Sequence, residues 1–424
     1  MHTSPHPAAA LMTATAAPSV SSGPELIVIG AGVVGLATAY AAARRGCSVL
    51  LVDRNSGPAL GTSFANGAQL SYAYTDAMAG PGTWKQLPEM AFGRNGPFRT
   101  RWSADPGFLR WGLSFLRQAS TGGLHRNTLA TLELALESRQ AMLELLQQHP
   151  IEFDHAVSGK LHLYPSPEGM QGAAAMIALK RTSGVQQRLV DAAEAKTIEP
   201  ALRGAPWLAG AVYSPDEEAG DPYRFSQGLL EVLQQHYGVQ TRFDFPIQSL
   251  RRVDGQWQLQ AGNADVLRAP RVVVCAGIDS AALLKPLHQR VPVMAIKGYS
   301  FTAPCGANAP HVSITDTKRK LVFCRLGDHI RVAGLADLND WNPTPEPARL
   351  AQLIAQARAS LPEAADYDHI QSSWAGLRPV TPWSSPIIRN LGDGLACNIG
   401  HGMLGWTLAM GSGERAVTQL LDAS

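Results

Sequence analysis

Hydrophobic positions along this chain fall into three kinds of run. The first is the short uninterrupted block: residues 25–29 (ELIVI), 48–52 (CSVLLV with its leading Cys47) and 271–277 (RVVVCAG). Strands buried on both faces read this way, so these three predict neighbours in one parallel sheet. The second is the helical stripe. Residues 33–45 are alanine-rich, 104–118 and 126–148 repeat apolar positions at helical spacing, and 224–237 and 346–361 read as further helices. The leucines of LATLELALESRQAMLELL belong to a core face. The third lies between 291 and 335, where VPVMAIKGYSFTA, KLVFCRL and HIRVAGL are β-prone and joined by short polar turns, which predicts an antiparallel sheet. SGKLHLYPS and GAVYSPDEEAGDPYRF add strands with turns. The chain closes with GLACNIGHGMLGWTLAMGSGERAVTQLL, read as a strand, a glycine-rich turn and a helix. Nucleotide-type pieces therefore bracket an antiparallel insert, and the fold class is α/β.

The turn after the first strand is GAGVVG, with Gly30, Gly32 and Gly35. Gly30 permits the tight turn, Gly32 lets the backbone approach a pyrophosphate, and Gly35 lets helix and strand close up. The helix N-terminus offers free N–H groups to phosphate. Asp53 ends the second strand, placed to accept hydrogen bonds from ribose hydroxyls. Strand, turn, helix and acid together predict dinucleotide binding. The next stretch, GTSFANGAQLSYAYTDAMAGPG (61–82), is small and polar where a minimal NAD-binding fold would proceed to another strand. Thr62, Ser63 and Asn66 carry hydrogen-bond donors for phosphate or flavin, and Gly61 and Gly67 allow close backbone approach; a bland loop would look similar.

Composition narrows the class. The 424 residues are 45% hydrophobic and 17% charged, with a formal net charge of +2. That argues against a nucleic-acid surface or a polybasic membrane patch. Five cysteines lie far apart without CxxC spacing, three of them in apolar strand-like runs, and no metal site is visible. Residues 1–24 are rich in Ala, Ser, Thr and Pro, and the first Lys or Arg is Arg44, which fits neither a secretory signal nor a transit peptide. They predict a disordered tail. No run of about 18 apolar residues occurs, so no transmembrane segment is expected. The expected location is cytoplasmic, with peripheral contact at the inner face of the cell membrane left open.

Six motifs in order, GAGVVG with its acid at Asp53, GTSFANGAQLS, GDPYRF, KGYSFT, WAGLRPVTP and GHGMLGWTLAMGSG, span nearly all of 25–421. In these the chain resembles the FAD-dependent D-amino-acid oxidase superfamily, and within it the branch of the bacterial D-amino-acid dehydrogenase small subunit. The resemblance implies a bilobal flavoprotein. A Rossmann-like FAD-binding domain would comprise 25–90, 190–290 and 370–424, and an antiparallel-sheet substrate domain with helices 91–189 and 291–369. FAD would be held by Gly30, Gly32, Val33, Val34, Gly35, Asp53, Arg54, Thr62, Ser63, Asn66, Gly67 and Gly277. A second turn, with Gly402, Met403, Leu404 and Gly405, would present backbone donors to the flavin ring.

The resemblance also assigns roles at the reacting end. Arg378, in GLRP, would grip the substrate carboxylate as a bidentate pair. Tyr299, in KGY, would bond the same carboxylate or line the pocket, and His401 would neighbour flavin or substrate. Lys297, Tyr72 and Tyr74 are weaker candidates. The implied reaction is oxidation of a D-amino acid to a 2-oxo acid and ammonia by hydride transfer to the flavin, with electrons passed to a quinone or respiratory acceptor. Alternatives are an oxidase using dioxygen, a dehydrogenase of a cyclic imino acid such as D-proline or hydroxyproline, and a flavoprotein-like scaffold without turnover. The sequence departs from the family at Trp383-Ser384-Ser385, where an acidic-glycine turn is common. That loop is expected near the pocket or flavin edge.

Overall fold

The computed structural model describes residues 23–93, 96–262 and 265–422. All but the last two residues of the tail expected over 1–24 lie outside them. Strand Leu26–Ile29 is buried at every position and runs parallel to Val49–Val52 on one side and to Arg271–Val274 on the other. Its alternate residues feed different cores, which is why the run is apolar throughout. Leu26 and Val28 join Leu36, Leu134, Phe225 and Leu408 under the helices. Ile27 and Ile29 join Leu50, Trp257 and Leu259 on the opposite face. That face is covered by an antiparallel sheet of Ser249–Val253, Gln256–Ala261 and Asp265–Ala269, a segment with no element expected from its pattern. The whole parallel sheet has the order Ile387–Gly392, Leu395–Ile399, Arg271–Val274, Leu26–Ile29, Val49–Val52, Gln240–Arg242, and only its first pair is antiparallel.

Helix Gly405–Leu421 ties the chain's two ends together, lying against Val33–Ala43 and Thr121–Gln148. AMGSG explains the close fit. A Cβ at Gly413 would stand 2.8 Å from the Ala37 carbonyl carbon, and one at Gly411 would stand 2.7 Å from the Ser138 amide nitrogen. Only glycine lets these helix backbones approach so far.

The second lobe is built on a nine-stranded mixed sheet. Its longest strand, Met294–Pro304, pairs antiparallel with His329–Leu338 on one side and with Ser372–Val380 on the other. Elements cross the segment bounds expected from the sequence. Gly210–Ser214 and Ser372–Val380, from the segments 190–290 and 370–424 expected in the FAD-binding lobe, hydrogen-bond into the large sheet, as does Arg188–Asp191, which straddles the bound at 189/190. Helix Thr121–Gln148, expected in the substrate lobe, sends Leu134, Ala135, Met142 and Leu145 into the core of the first. The physical reason is that apolar periodicity identifies an element without stating which core receives it.

The glycine contact gives a test. Gly413→Val should destabilise the fold by about 1–3 kcal/mol through overpacking, read as a lower denaturant midpoint at unchanged slope. An unchanged midpoint would show that the two helices separate without cost.

Candidate active site

The GAGVVG turn folds as its residue types demand. Gly30 has φ +104°, and a Cβ there would stand 2.5 Å from the Cys275 carbonyl oxygen. A Cβ at Gly35 would collide with the Gly30 carbonyl oxygen, so its lack of a side chain closes helix on strand. Gly32 instead lines the cleft, where its Cβ would meet only Ser63 Oγ, at an ordinary contact distance of 3.4 Å. Ser63 Oγ accepts the Val33 amide at 3.2 Å. Asp53 Oδ2 accepts the Ala31 amide at 2.6 Å, while Oδ1 accepts the amide and side chain of Asn55 at 2.8 and 2.9 Å. Arg54 pairs with Asp279 at 2.8 Å.

From this turn one cleft of about 440 Å³ runs between the lobes to Arg378 and His401. It is lined by Gly30, Gly32, Val33, Val34, Asp53, Arg54, Thr62, Ser63, Asn66 and Gly277, and at its other end by Gly402, Met403 and Gly405. Three expected cofactor contacts do not line it. Gly35 serves helix packing, and Gly67 abuts Val322, with 3.0 Å between its would-be Cβ and Cγ2. Leu404 packs on the core of the first lobe, and its amide already donates to the His401 carbonyl at 3.1 Å. The Thr62 hydroxyl is committed as well, donating to the Leu377 carbonyl at 2.7 Å.

Arg378 is the cation of this cleft that lacks an acid. Strand register sets Arg378 opposite Ile296 and Gly376 opposite Gly298. A Cβ at Gly298 would overlap the Arg378 guanidinium, so the glycine of KGY is the seat on which that group lies. Among the described residues its one hydrogen bond is from Nη1 to the Leu335 carbonyl, long at 3.4 Å. The carboxylate that bears on it is already engaged: buried Asp337 takes Arg99 and Arg349 at 2.6 Å each and the Tyr299 hydroxyl at 2.9 Å. Burial therefore pulls the Arg378 pKa down to about 10, against partial support from Asp337. A guanidinium held this way is destabilised until an anion meets it.

Tyr299 lines the cleft, as one of its two expected roles requires. Its side chain is fully buried and its hydroxyl donates to Asp337, so that proton is already committed rather than offered to a carboxylate. Lys297 is likewise buried, donating to the Thr344 carbonyl at 2.6 Å. Tyr72 and Tyr74 do not line the cleft, and Tyr74 stacks on His162. Nor does Trp383-Ser384-Ser385 reach it: Ser384, at φ +72°, accepts the Met78 amide at 2.9 Å and holds loop to loop. His401 does line the cleft. It is buried, its Nε2 lies 2.9 Å from Ser412 Oγ, and burial drops its pKa to about 3, so the ring is neutral.

Sequence reasoning missed several lining residues. Trp374 stands two positions from Gly376, where a Cβ would strike its indole; the pair is visible as WAG but has no period to announce it. Phe245, Pro246 and Ile247 close the cleft near Asp53 from an irregular segment without a sequence signal.

The fold and cleft define a two-lobed α/β protein of the dinucleotide-binding kind. Residues 25–419 match the DAO family, described as FAD dependent oxidoreductase, and the chain belongs to that family. It is 40% identical over 404 residues to a D-amino acid dehydrogenase 2 of Ralstonia nicotianae, covering 92% of this chain and 94% of that one. It is 39% identical to a D-amino acid dehydrogenase of Paramagnetospirillum magneticum, covering 94% and 95%. Among solved structures it is similar to glycine oxidase from Geobacillus kaustophilus (TM-score 0.74, 17% identity, 95% of each chain). It is also similar to L-proline dehydrogenase from P. horikoshii (TM-score 0.75, 15% identity, 96% and 95%). The protein is thus an FAD-dependent oxidoreductase, and its residues fit the cofactor: an open Gly32 edge, a helix N-terminus at Val33 and a long cleft.

The buried imidazole carries a pH prediction. His401 has a folded pKa below its unfolded value of 6.5, so the unfolded chain binds the extra proton. Its contribution to stability is complete above pH 6.5 and lost as pH falls toward about 3. His401→Asn should flatten the stability profile in that window, measured by denaturant unfolding. An unaltered slope would show that the ring protonates freely in the folded state.

Proposed function

We propose that this chain is an FAD-dependent D-amino-acid dehydrogenase that converts D-amino acids to 2-oxo acids and ammonia and passes the electrons to a quinone or respiratory acceptor. The relatives at 39–40% identity over nearly the full length support the substrate class. The observation that carries the reading is the half-buried guanidinium of Arg378, which has no carboxylate in ion-pair reach among the described residues and opens on the cleft. A planar fork binds a carboxylate through two parallel hydrogen bonds, fixing orientation as well as charge. FAD, when bound, supplies the ring that accepts a hydride from the substrate Cα.

The chain's own groups bind, orient and keep out water. Arg378 takes the substrate carboxylate, and Trp374 and neutral His401 wall the reacting end. Tyr299 acts through its hydroxyl: it helps to engage Asp337, which would otherwise compete for Arg378. Gly400, at φ +82°, and Gly402, at φ +58°, shape the turn that brings helix Gly405–Leu421 to the cleft. A helix N-terminus there favours negative charge on the bound cofactor.

Contact with a membrane surface is part of this proposal. No helix among the described residues is long and apolar enough to cross a membrane. Helix Pro106–Arg117 buries Phe108, Trp111 and Phe115 against Val380 and Met294, close to Arg378. Outward it exposes Leu109 and Leu113 beside Arg110, with exposed Trp102 against Phe108 and exposed Trp84 bonded to the Ala119 carbonyl just past its end. Apolar side chains flanked by arginines suit an anionic lipid interface.

Two experiments test the reading. Anaerobic D-amino acids should bleach the yellow holoenzyme, and Arg378→Lys should raise the substrate concentration for half-maximal bleaching by about two orders of magnitude with FAD retained. Bleaching by no D-amino acid, or unchanged kinetics in the variant, removes the assignment; peroxide formed in air indicates an oxidase. For the surface, the enzyme should float with phosphatidylglycerol vesicles and not with phosphatidylcholine, and Leu109→Glu/Leu113→Glu should abolish flotation. Equal flotation of that double variant would move the contact elsewhere.

A further inference from the structure

Behind loop 66–74 lies a set of buried charged groups that the reaction above does not use. Lys160 and His162 come from strand Lys160–Tyr164, Lys180 from the end of helix Pro167–Lys180, and Glu217 from the turn before Glu218–Ala219. All four are buried. Lys160 Nζ donates to Ser71 Oγ at 2.5 Å. Glu217 Oε1 accepts the Ala73 amide at 2.6 Å. The His162 ring stacks on Tyr74 with centroids 3.5 Å apart, and both lysines lie over that same tyrosine, Lys160 at 5.1 Å and Lys180 at 5.8 Å.

The polar atoms here are not satisfied by protein. Both ring nitrogens of His162, Glu217 Oε2 and the Tyr72 hydroxyl are buried without a hydrogen-bond partner among the described residues. Each such group costs about 1–3 kcal/mol if left dry. Their concentration in one place marks the kind of polar interior that holds ordered water. The charges also feel one another. Burial lowers the Lys160 pKa and raises that of Glu217, each opposed by the other's charge. Other charged or titratable groups facing them are Lys180, Arg139 and Cys324, with Lys320 toward His162.

This interior has an inner and an outer end. At the inner end the Ser71 amide donates to Thr407 Oγ1 at 3.0 Å, and Thr407 follows cleft-lining Trp406 at the start of the last helix. At the outer end Lys180 Nζ bonds Asp76 at 2.8 Å, and Asp76 is a quarter exposed. The cluster thus lies between the residue layer behind the cleft and a partly exposed carboxylate.

The amine-oxidising reaction needs a proton acceptor. An amino acid arrives as R–CH(NH₃⁺)–COO⁻, and its Cα–H bond releases a hydride only when the nitrogen has a free lone pair. One proton must first leave the ammonium. The C–H electron pair and hydrogen then pass to FAD, leaving the iminium R–C(=NH₂⁺)–COO⁻. We propose that Lys160, His162 and Glu217 enclose a hydrated chamber that takes up the ammonium proton and delivers it to solvent through Lys180 and Asp76. This rests on the D-amino-acid reading above, and it makes Glu217 and Lys160 positioning residues that act through water.

Stopped-flow flavin reduction of the holoenzyme by one D-amino acid, across pH, tests it in Glu217→Gln and Lys160→Met. Near neutral pH both variants should reduce flavin about 10- to 100-fold more slowly, with half-saturating substrate unchanged. The deficit should close at alkaline pH, where substrate already arrives as the free amine. A merely structural role would slow reduction by one factor at every pH, and that result, or no deficit, overturns the proposal. Should either variant fail to fold, Glu217→Asp and His162→Gln are judged by the same closing of the gap. A readout without substrate separates the two readings: the spectrum of the oxidised flavin should titrate near neutral pH in wild type and not in Glu217→Gln. If that titration is present and no amino acid bleaches the flavin, the substrate reading fails and the chamber's titration stands. If no such titration occurs, the chamber is overturned whatever the substrate does.

Discussion

The cleft depends on one unpaired guanidinium lying across a glycine. Arg378 reaches its position because its strand pairs with Met294–Pro304 in a single register, setting Gly376 against Gly298. Any side chain at Gly298 would occupy the space of the guanidinium. What leaves the group unpaired is equally specific. Asp337, the acid that bears on Arg378, is held on three sides by Arg99, Arg349 and Tyr299. Removing any of these would free a carboxylate oxygen to draw the arginine away from the cleft. A destabilised charge in the empty state becomes binding energy when a carboxylate arrives.

The loop 61–70 shows how the lobes are joined. Its residues look like ligand donors, yet several bond to the large sheet instead. Thr62 donates to the Leu377 carbonyl, and Ser300 Oγ donates to the Ala65 carbonyl at 2.5 Å. Buried Arg331 donates to the Asn66 carbonyl and pairs with Asp221, both at 3.3 Å. The loop is therefore a strap between the FAD-binding lobe and the strand that carries Arg378. Each hydrogen bond contributes only about 1 kcal/mol, but together they hold the two ends of the cleft in a fixed relation. The buried groups around Lys160 sit on the far side of the same strap, so one short segment borders both the cofactor cleft and the proposed proton route.

Much of the architecture was legible before any coordinates. Apolar blocks at 25–29, 48–52 and 271–277 became adjacent parallel strands, and the run over 291–335 became antiparallel. Gly30 and Gly35 of GAGVVG and both glycines of AMGSG meet contacts that only glycine tolerates. Legibility failed where a side chain's role depends on distant neighbours. Tyr299 and Arg378 both carry polar ends suited to a carboxylate and both line the cleft, but the tyrosine hydroxyl is committed to Asp337. The loop at Trp383-Ser384-Ser385 looked like a pocket wall and is instead a tether for Met78.

What the sequence determined alone is local: period, turn chemistry and the glycines that permit close approach, because these act over a few residues through backbone sterics. The tertiary structure decided which acid each arginine meets. Asp337 gathers Arg99 and Arg349 from separate parts of the chain, and only that gathering leaves Arg378 free. Charge pairing acts through space rather than along the chain, so no spacing rule could announce it.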